Sequence, residues 1–507
     1  MVETAVALGL MVLTLALFSA LGIWYSRGRV GSVEDLISAR NTAGGGRLTA
    51  TLIASSMGAW ILFSPAEAAA VFGGISAVAG YAIGSALPLV AYVFVGPRIR
   101  RYIPAGHSIT EYAYARYGRV MYAYVLVVSV FYMFIFLAAE MTGITGALEL
   151  VAGVPPWQTA LVIGAFVLAY TAYGGLQASI LTDTVQTLVI LPLLAVGFGG
   201  ALLALGGTGT IHANVVAANP SLLDPGFAAG LQFGGYVAIA VLGAEMLNQA
   251  WWQRIYAARD ERTLRRSFGV AALAVVPMIF VAGLFGLAAT GFDTLVTDLP
   301  SGSYNADVAI FVVLEGAFPE WVTLAIVLLA VLLVMSTADT LFNAIASIVT
   351  ADLPRLLADP DEGTLKASAR LLTGGVALAA VVIGAQGYSV LQLFLTADLL
   401  AAATFVPLLY GLFSEHPSGP GMVVASVLGL AVGLAYFPSL RGLLTAVPGL
   451  AAVLPTPDFL VSFASAAGIS GLTAVVLSRL TDGRFDLETL GREVQNLDDG
   501  ADAEVSD

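Results

Sequence analysis

The chain has 507 residues, of which 58% are hydrophobic and only 11% charged, with a net charge of −13 and a mean hydropathy of +0.90. A soluble domain carries about 25% charged residues, so this composition identifies a polytopic membrane protein. The absence of cysteine excludes disulfides, thiolate zinc sites and cysteine nucleophiles. The three histidines, His107, His212 and His416, fall in predicted loops and leave little for metal or acid–base catalysis.

Residues 1–25 begin METAVALG, with Glu3 and no basic residue ahead of the apolar run. A signal peptide starts positive and ends at a small-residue cleavage site, so this segment reads as a first spanning helix. Runs near 20 residues then predict spans at about 49–73, 76–96, 120–151, 157–174, 180–205 and 230–253. Further runs lie at about 268–291, 320–351, 368–386, 390–413, 420–438 and 458–478, for thirteen spans in an all-α integral membrane fold. The second span, within Thr49–Gly74, carries Ser55, Ser56, Met57 and Gly58 near its middle, with Pro65 and Glu67 further on. A small, polar, Gly-interrupted centre makes a candidate broken helix whose freed carbonyls can hold an ion. An unbroken helix with both serines bonded back to the preceding turn is the plainer alternative.

An odd number of spans puts the termini on opposite sides. The loops at 25–48, 97–119, 254–267 and 352–370 and the tail after 478 hold every basic residue except Arg441, 20 of 21. The positive-inside rule places the N-terminus outside and the C-terminus in the cytoplasm of a multi-pass cell-membrane protein. The predicted external loops at 206–229 and 292–319 are long, and the second is acidic (Asp293, Asp298, Asp307, Glu315), with Asn305–Ala317 a candidate short surface helix. The transmembrane domain is expected over residues 1–480, and 481–507 as an acidic cytoplasmic tail, disordered beyond a first helical turn. Lys366 is the single lysine, and abundant carboxylates with so little lysine fit a salt-loving source. A GC-rich genome, which favours Arg over Lys, would give the same bias.

Apart from acids at the outermost ends of the predicted spans, the acidic residues within them are Glu67, Glu140, Asp183, Glu245, Asp339 and Asp398. Acids at bilayer depth usually face the bundle interior or a water-filled cavity and mark a pathway. With no Lys or Arg expected there, the pathway favours cations. Helix-end or hydrogen-bonded protonated roles remain open for Glu140 and Asp398. In the stretch VLLVMSTADT, Ser336 and Thr337 are adjacent hydroxyls one turn after Leu333. Hydroxyls plus a freed carbonyl make a hard, oxygen-only ligand set, which a second segment, the break at Ala54–Met57, would complete. Interhelical hydrogen bonding is the alternative use of such a pair. In Tyr170–Gln186, Gly174 and Gly175 end one helix and Asp183 is expected in the first turn of the next, where the helix dipole favours its charge.

Four stretches together resemble the sodium/solute symporter family: YGGLQASILTDTVQ, the MSTADT run, Asn248-Gln249 leading to Gln253-Arg254, and PAGHSITEYAYARYG from Pro104 to Gly118. The resemblance, covering about residues 5–480, implies a leucine-transporter-like fold of two inverted five-helix repeats, spans two to six and seven to eleven. The first helix of each is broken, here at Ser55–Gly58 and at Gly243-Ala244-Glu245. It implies a sodium ion held by the carbonyls of Ala54, Met57 and Leu333 and the hydroxyls of Ser336 and Thr337, with Asp183 linked to sodium release. Ser55, Ser56, Gly58, Trp60, Glu67, Glu245, Asn248 and Asp339 are further candidates for substrate binding or coupling. Two departures matter. Sodium/proline members have an Asp where Ser56 stands, and sodium/galactose members have a Tyr where Ala244 stands and no counterpart of Glu245, which argues against a sugar. Glu67 and Glu245 could bind an ammonium group or a second cation.

The expected activity is sodium-coupled uptake of a small organic solute, an amino acid such as proline or a similar zwitterion, with the lipid bilayer as setting and no nucleic-acid partner. A proton-coupled carrier using the buried carboxylates and a transporter-like membrane sensor are the rivals. A membrane enzyme would need a nucleophile or metal cluster, and the sequence offers neither.

Overall fold

The computed structural model describes residues 3–28, 37, 39–297, 305–356, 362–481 and 483–494. Among these the regular elements are helices, with one isolated parallel bridge between Ala43 and Ala258. A hydrocarbon layer offers no hydrogen-bond partners, so an apolar chain must satisfy its backbone within each helix. Among the described residues, ten helices are long and apolar enough to cross a membrane.

Helix α1 spans Thr4–Ser26 and α2 spans Gly45–Ser56. Helical geometry stops at Met57 (φ −115°, ψ 71°) and extended Gly58. The segment resumes as a 3-10 turn at Ala59–Leu62, one α turn at Ser64–Glu67 and a wide π turn at Ala68–Gly73. The second span is therefore broken where Ser55–Gly58 predicts it. Helix α3 (Gly74–Tyr102) follows, then α4 (Ile109–Tyr117) and α5 (Arg119–Ala152).

Helix α6, Pro156–Ala204, consists of two limbs that meet at Gly175, which has φ 55° and ψ −152°. Straight, its 49 residues would measure about 74 Å, more than twice a hydrocarbon core of about 30 Å. It folds back instead: a Cβ at Gly22 of α1 would touch both Tyr170, before the glycine, and Ala178 and Thr182, after it. The left-handed φ at Gly175 makes this reversal accessible to glycine alone at low cost.

Helix α7 (Gly207–Ala218) occupies the loop predicted at 206–229. Helices α8 (Ala228–Met246) and α9 (Gln249–Ala257) form a second interrupted segment, followed by α10 (Glu261–Ala289), α11 (Ala309–Ala317) and α12 (Glu320–Leu356). Then come α13 (Glu362–Gly384), α14 (Val390–Tyr410), α15 (Gly419–Tyr436) and α16 (Phe459–Arg479). The expected thirteen spans count the limbs of α6 separately, treat the broken second segment as distinct from α3, and include α13, whose apolar part at Leu371–Gly384 is short.

Helix α12 is the axis of the molecule. Of its most apolar stretch 72% is buried, against 28% for α1 and α16, and it packs on α1, α2, α5, α6, α9 and α13. Small residues let the helices around it approach closely: a Cβ on Gly80 of α3 would lie 2.3 Å from Gly234 Cα of α8. The two broken segments are tied to each other. Ala43 donates to Ala257 O at 2.9 Å and Arg259 to Ala43 O at 3.0 Å, so the chain entering α2 runs beside the chain leaving α9.

Two expectations of the sequence need correction. The helix within Asn305–Ala317 is not a surface helix, because Phe311, Val313 and Leu314 are buried and Phe311 stacks on Phe63. The second break does not fall at Gly243–Glu245, since α8 runs on to Met246. Gly243 serves packing, where an added Cβ would meet Ala402 Cα at 2.6 Å. Of the expected tail, residues 483–494 lie against the body, with Leu490 and Val494 buried and Phe485 donating to Glu415 O at 2.8 Å. Residues 495–507 lie outside the described residues.

Candidate ion and solute site at the helix breaks

The break after α2 leaves backbone groups that must be answered within the protein. The Met57 N–H bonds Ala54 O at 3.2 Å, and among the described residues no backbone N–H outside the helices reaches Met57 O. On the far side of the break, Glu140 of α5 accepts the N–H of Ala59 at 2.7 Å with Oε2 and that of Trp60 at 3.2 Å with Oε1. A carboxylate thus caps the N-terminus of the second limb, where free N–H groups favour negative charge. Glu140 lies in the interior of α5 and not near its end, and it caps another segment. Gly58 lies between Glu140 and α12: an added Cβ would sit 2.2 Å from Glu140 Oε1 and 2.6 Å from Thr337 Oγ1.

Thr337 Oγ1 is buried without a hydrogen-bond partner, and Leu333, one turn earlier on α12, is fully buried. An orphaned hydroxyl costs free energy unless something absent from the chain itself completes it. Facing the break, it suits a hard cation such as sodium. Ser336 Oγ instead donates to Asp183 Oδ1 at 2.5 Å, so of the paired hydroxyls one is engaged and one open.

Asp183 stands eight residues beyond the Gly175 reversal, two turns into its limb rather than in the first turn. Its carboxylate is held by side chains and not by a helix end. Thr51 Oγ1 donates to it at 2.6 Å, and Arg254 Nη2 lies 3.4 Å away in a pair whose side chains are both fully buried. Arg254 also donates to Thr340 Oγ1 at 2.7 Å and Ser55 Oγ at 3.1 Å. This overturns the expectation that no basic residue reaches the interior: α9 carries Arg254 inward, and Asp183 compensates its charge. Asp339 faces α6, accepting from Tyr170, from Ser179 at 2.7 Å and from Thr182 at 3.3 Å.

The second break, at Leu247–Asn248, is fixed by side chains. Asn248 caps α9 by accepting the Ala250 N–H at 3.0 Å. Tyr92 donates to the carbonyls of Glu245 at 3.0 Å and Met246 at 3.2 Å, and Ser129 to Leu247 O at 3.1 Å. Gln249 clamps the loop before α4 by accepting from Ile109 N–H at 2.9 Å and donating to His107 O at 2.6 Å. Glu245, half-buried, accepts from Tyr132 at 2.8 Å, from Asn248 at 2.9 Å and from Trp251.

A series of rings leads from Trp60 to Tyr132, which donates to this acid. Trp60 stacks on Tyr81 at 5.7 Å and meets Phe394 edge-on at 6.3 Å, Phe394 meets Phe136 at 5.0 Å, and Phe136 lies 5.9 Å from Tyr132. Asp398, one turn after Phe394 on α14, is 3% exposed, and its Oδ1 has no hydrogen-bond partner. The candidates thus divide. Gly58, Trp60, Glu245 and Asn248 gather at the breaks, while Ser55 and Asp183 join the Arg254 network and Asp339 the α6 network. Ser56 bonds back to Leu52 O at 2.5 Å and faces neither. Glu67 accepts from Ser389, the cap of α14, at 3.0 Å. Tyr132, Trp251 and the capping role of Glu140 escaped the sequence reading, since each is defined by a partner 80 or more residues away or across a break.

The model of the "Sodium:solute symporter family" matches residues 37–429. The chain is 26% identical over 383 residues to the spermidine transporter DUR31 of Candida albicans, covering 75% of this chain and 70% of that protein. It is 26% identical to the sodium/glucose cotransporter of Vibrio parahaemolyticus, covering 57% of this chain and 58% of that one. Among solved structures, a Na+-coupled sialic acid symporter in a substrate-bound outward-open state superposes with a TM-score of 0.73 at 18% identity, covering 94% of this chain and 98% of its own. Inward-facing Mhp1 gives 0.54 at 14% identity, covering 90% and 96%.

Proposed function

Because the chain belongs to the sodium:solute symporter family, and is a multi-pass membrane transporter and not an enzyme, we propose that it takes up a small organic solute together with sodium by alternating access. The observation that carries the sodium part is Thr337. Its hydroxyl is buried and unpartnered beside a broken helix, and with Ser336, once released from Asp183, and the carbonyls of Ala54, Met57 and Leu333 it would make up the ligand set. Sodium there would bridge α12 and the break, fixing the second limb in the geometry that presents Trp60. Each ligand then shifts the population toward the state the other binds.

In this reading the protein lies in the cell membrane with its N-terminus outside and C-terminus inside. The two interrupted segments open two inverted repeats, as they do in leucine-transporter-like symporters. One sodium ion falling down a ~10-fold gradient yields about 1.4 kcal/mol, and ~100 mV adds about 2.3. Together these sustain a solute gradient of about 500-fold. The solute carries an amino group, as proline and similar zwitterions do, because Glu245 lies among rings beside the second break.

Uptake of a labelled solute panel into proteoliposomes, with and without an inward sodium gradient, tests the assignment. Sodium-dependent accumulation supports it. Accumulation that follows a proton gradient and ignores sodium overturns it and makes the buried carboxylates the coupling groups.

A further inference from the structure

Resting on that transport reading, we infer that the solute is a net-cationic alkylamine without a carboxylate, and that its ammonium group is held between Glu245 and Asp398 inside the ring box of Trp60, Tyr81, Tyr132 and Phe394. Two independent features point there.

The first is the occupancy of the anion-binding position. A zwitterion needs donors for its carboxylate, and the natural ones at a broken helix are the free N–H groups of the second limb. Here Glu140 accepts from both Ala59 and Trp60. A substrate carboxylate would have to displace the Glu140 side chain from both N–H groups. Arg254, the cation buried at α9, is paired with Asp183 and bonded to Ser55 and Thr340. Its charge is therefore already compensated by Asp183, although its Nε is left without a partner.

The second is a pair of acidic side chains beside aromatic faces with no basic partner. Among the described residues neither Glu245 nor Asp398 is paired with an arginine, lysine or histidine. Glu245 has only neutral donors, and Asp398 Oδ1, buried at 3% exposure, has none. The helices that carry the two acids, α8 and α14, pack closely, with Gly243 against Ala402 one turn after Asp398, and two carboxylates brought together there would repel each other. An ammonium between them would relieve that repulsion, and the rings on either side add cation–π attraction. The indole N–H of Trp60, buried and unpartnered, offers a single donor for a hydroxyl or ether oxygen further along the solute.

Matched pairs differing by one carboxylate test this: choline against betaine, cadaverine against lysine, pyrrolidine against proline. Binding to the purified full-length protein is measured by titration calorimetry at saturating sodium. In at least one pair the carboxylate-free member binds about 10-fold or more tightly than its partner. Glu245→Gln and Asp398→Asn each weaken that binding about 10-fold or more, the order expected when a buried charge loses its partner. Stabilisation of both variants by sodium alone verifies that they are folded. The inference is overturned if the carboxylate-bearing members bind as well or better, or if none of the amines binds while sodium still stabilises the protein; sodium coupling would stand in either case. Amine binding with no effect of sodium on stability or uptake leaves the cation site in place and removes the coupling.

Discussion

Glu140 Oε2 accepts the backbone N–H of Ala59 at 2.7 Å, so a side chain of α5 closes the break in the second spanning segment. The bond joins two elements 81 residues apart and is charge-assisted in a buried setting, where such bonds contribute about 1.5–3 kcal/mol. Glu140→Ala therefore loses stability of that order and leaves two backbone donors unanswered. Thermal unfolding in detergent should show a drop of several degrees, with uptake falling at least about tenfold. An unchanged unfolding midpoint would remove the capping role.

Gly58 is required for space and not for backbone freedom, since its φ is −66°. A methyl group there would press on Glu140 Oε1 and Thr337 Oγ1. Gly58→Ala should abolish uptake, whereas Gly45→Ala, where an added Cβ meets nothing within 4 Å, should transport normally. Equal activity of the two would contradict the close approach.

Arg254 and Asp183 form a buried pair, and removing one partner of such a pair typically costs about 3–5 kcal/mol. Arg254→Gln should lower stability by that amount. Arg254→Lys should rescue it poorly, because a point charge cannot reach Asp183, Ser55 and Thr340 from one planar group. Adding Asp183→Asn to Arg254→Gln should recover part of the loss in a double-mutant cycle. Strict additivity would mean the two are not coupled.

Asp307 precedes α11 outside the spanning segments, and burial pushes its carboxyl up to about 6. A folded-state value above the unfolded one favours the folded protein at low pH. That contribution is complete below the ordinary carboxylate range near 3.8 and is lost as pH rises through about 6. Unfolding midpoints between pH 4 and 7 should fall with rising pH, and Asp307→Asn should flatten that slope.

The break at Ser55–Gly58 was legible because Ser55, Ser56 and Gly58 interrupt an apolar run, and α12 because Ser336, Thr337 and Asp339 stand out in one. The Gly174-Gly175 reversal was legible for the same reason. The second break was misplaced because Gly243 resembles an interruption, while the actual one at Asn248 is made by capping and by hydroxyls of Tyr92 and Ser129 from distant helices. Arg254 looked like a loop residue because four further arginines follow it within twelve positions. Only the packing of α9 under α12 shows that it points inward. Ser56, expected near the solute, is bonded to its own helix, and Ser56→Ala should alter uptake and stability little, within about 0.5 kcal/mol.

The most direct test of sodium held between α12 and the broken segment is the sodium activation of solute uptake by Thr337→Ser and Thr337→Ala in proteoliposomes. The serine variant, which keeps the hydroxyl, should retain stimulation. The alanine variant should be folded, bind solute weakly and show no response to a sodium gradient. Wild-type sodium stimulation in Thr337→Ala would contradict the site, and with it the coupling mechanism built on it.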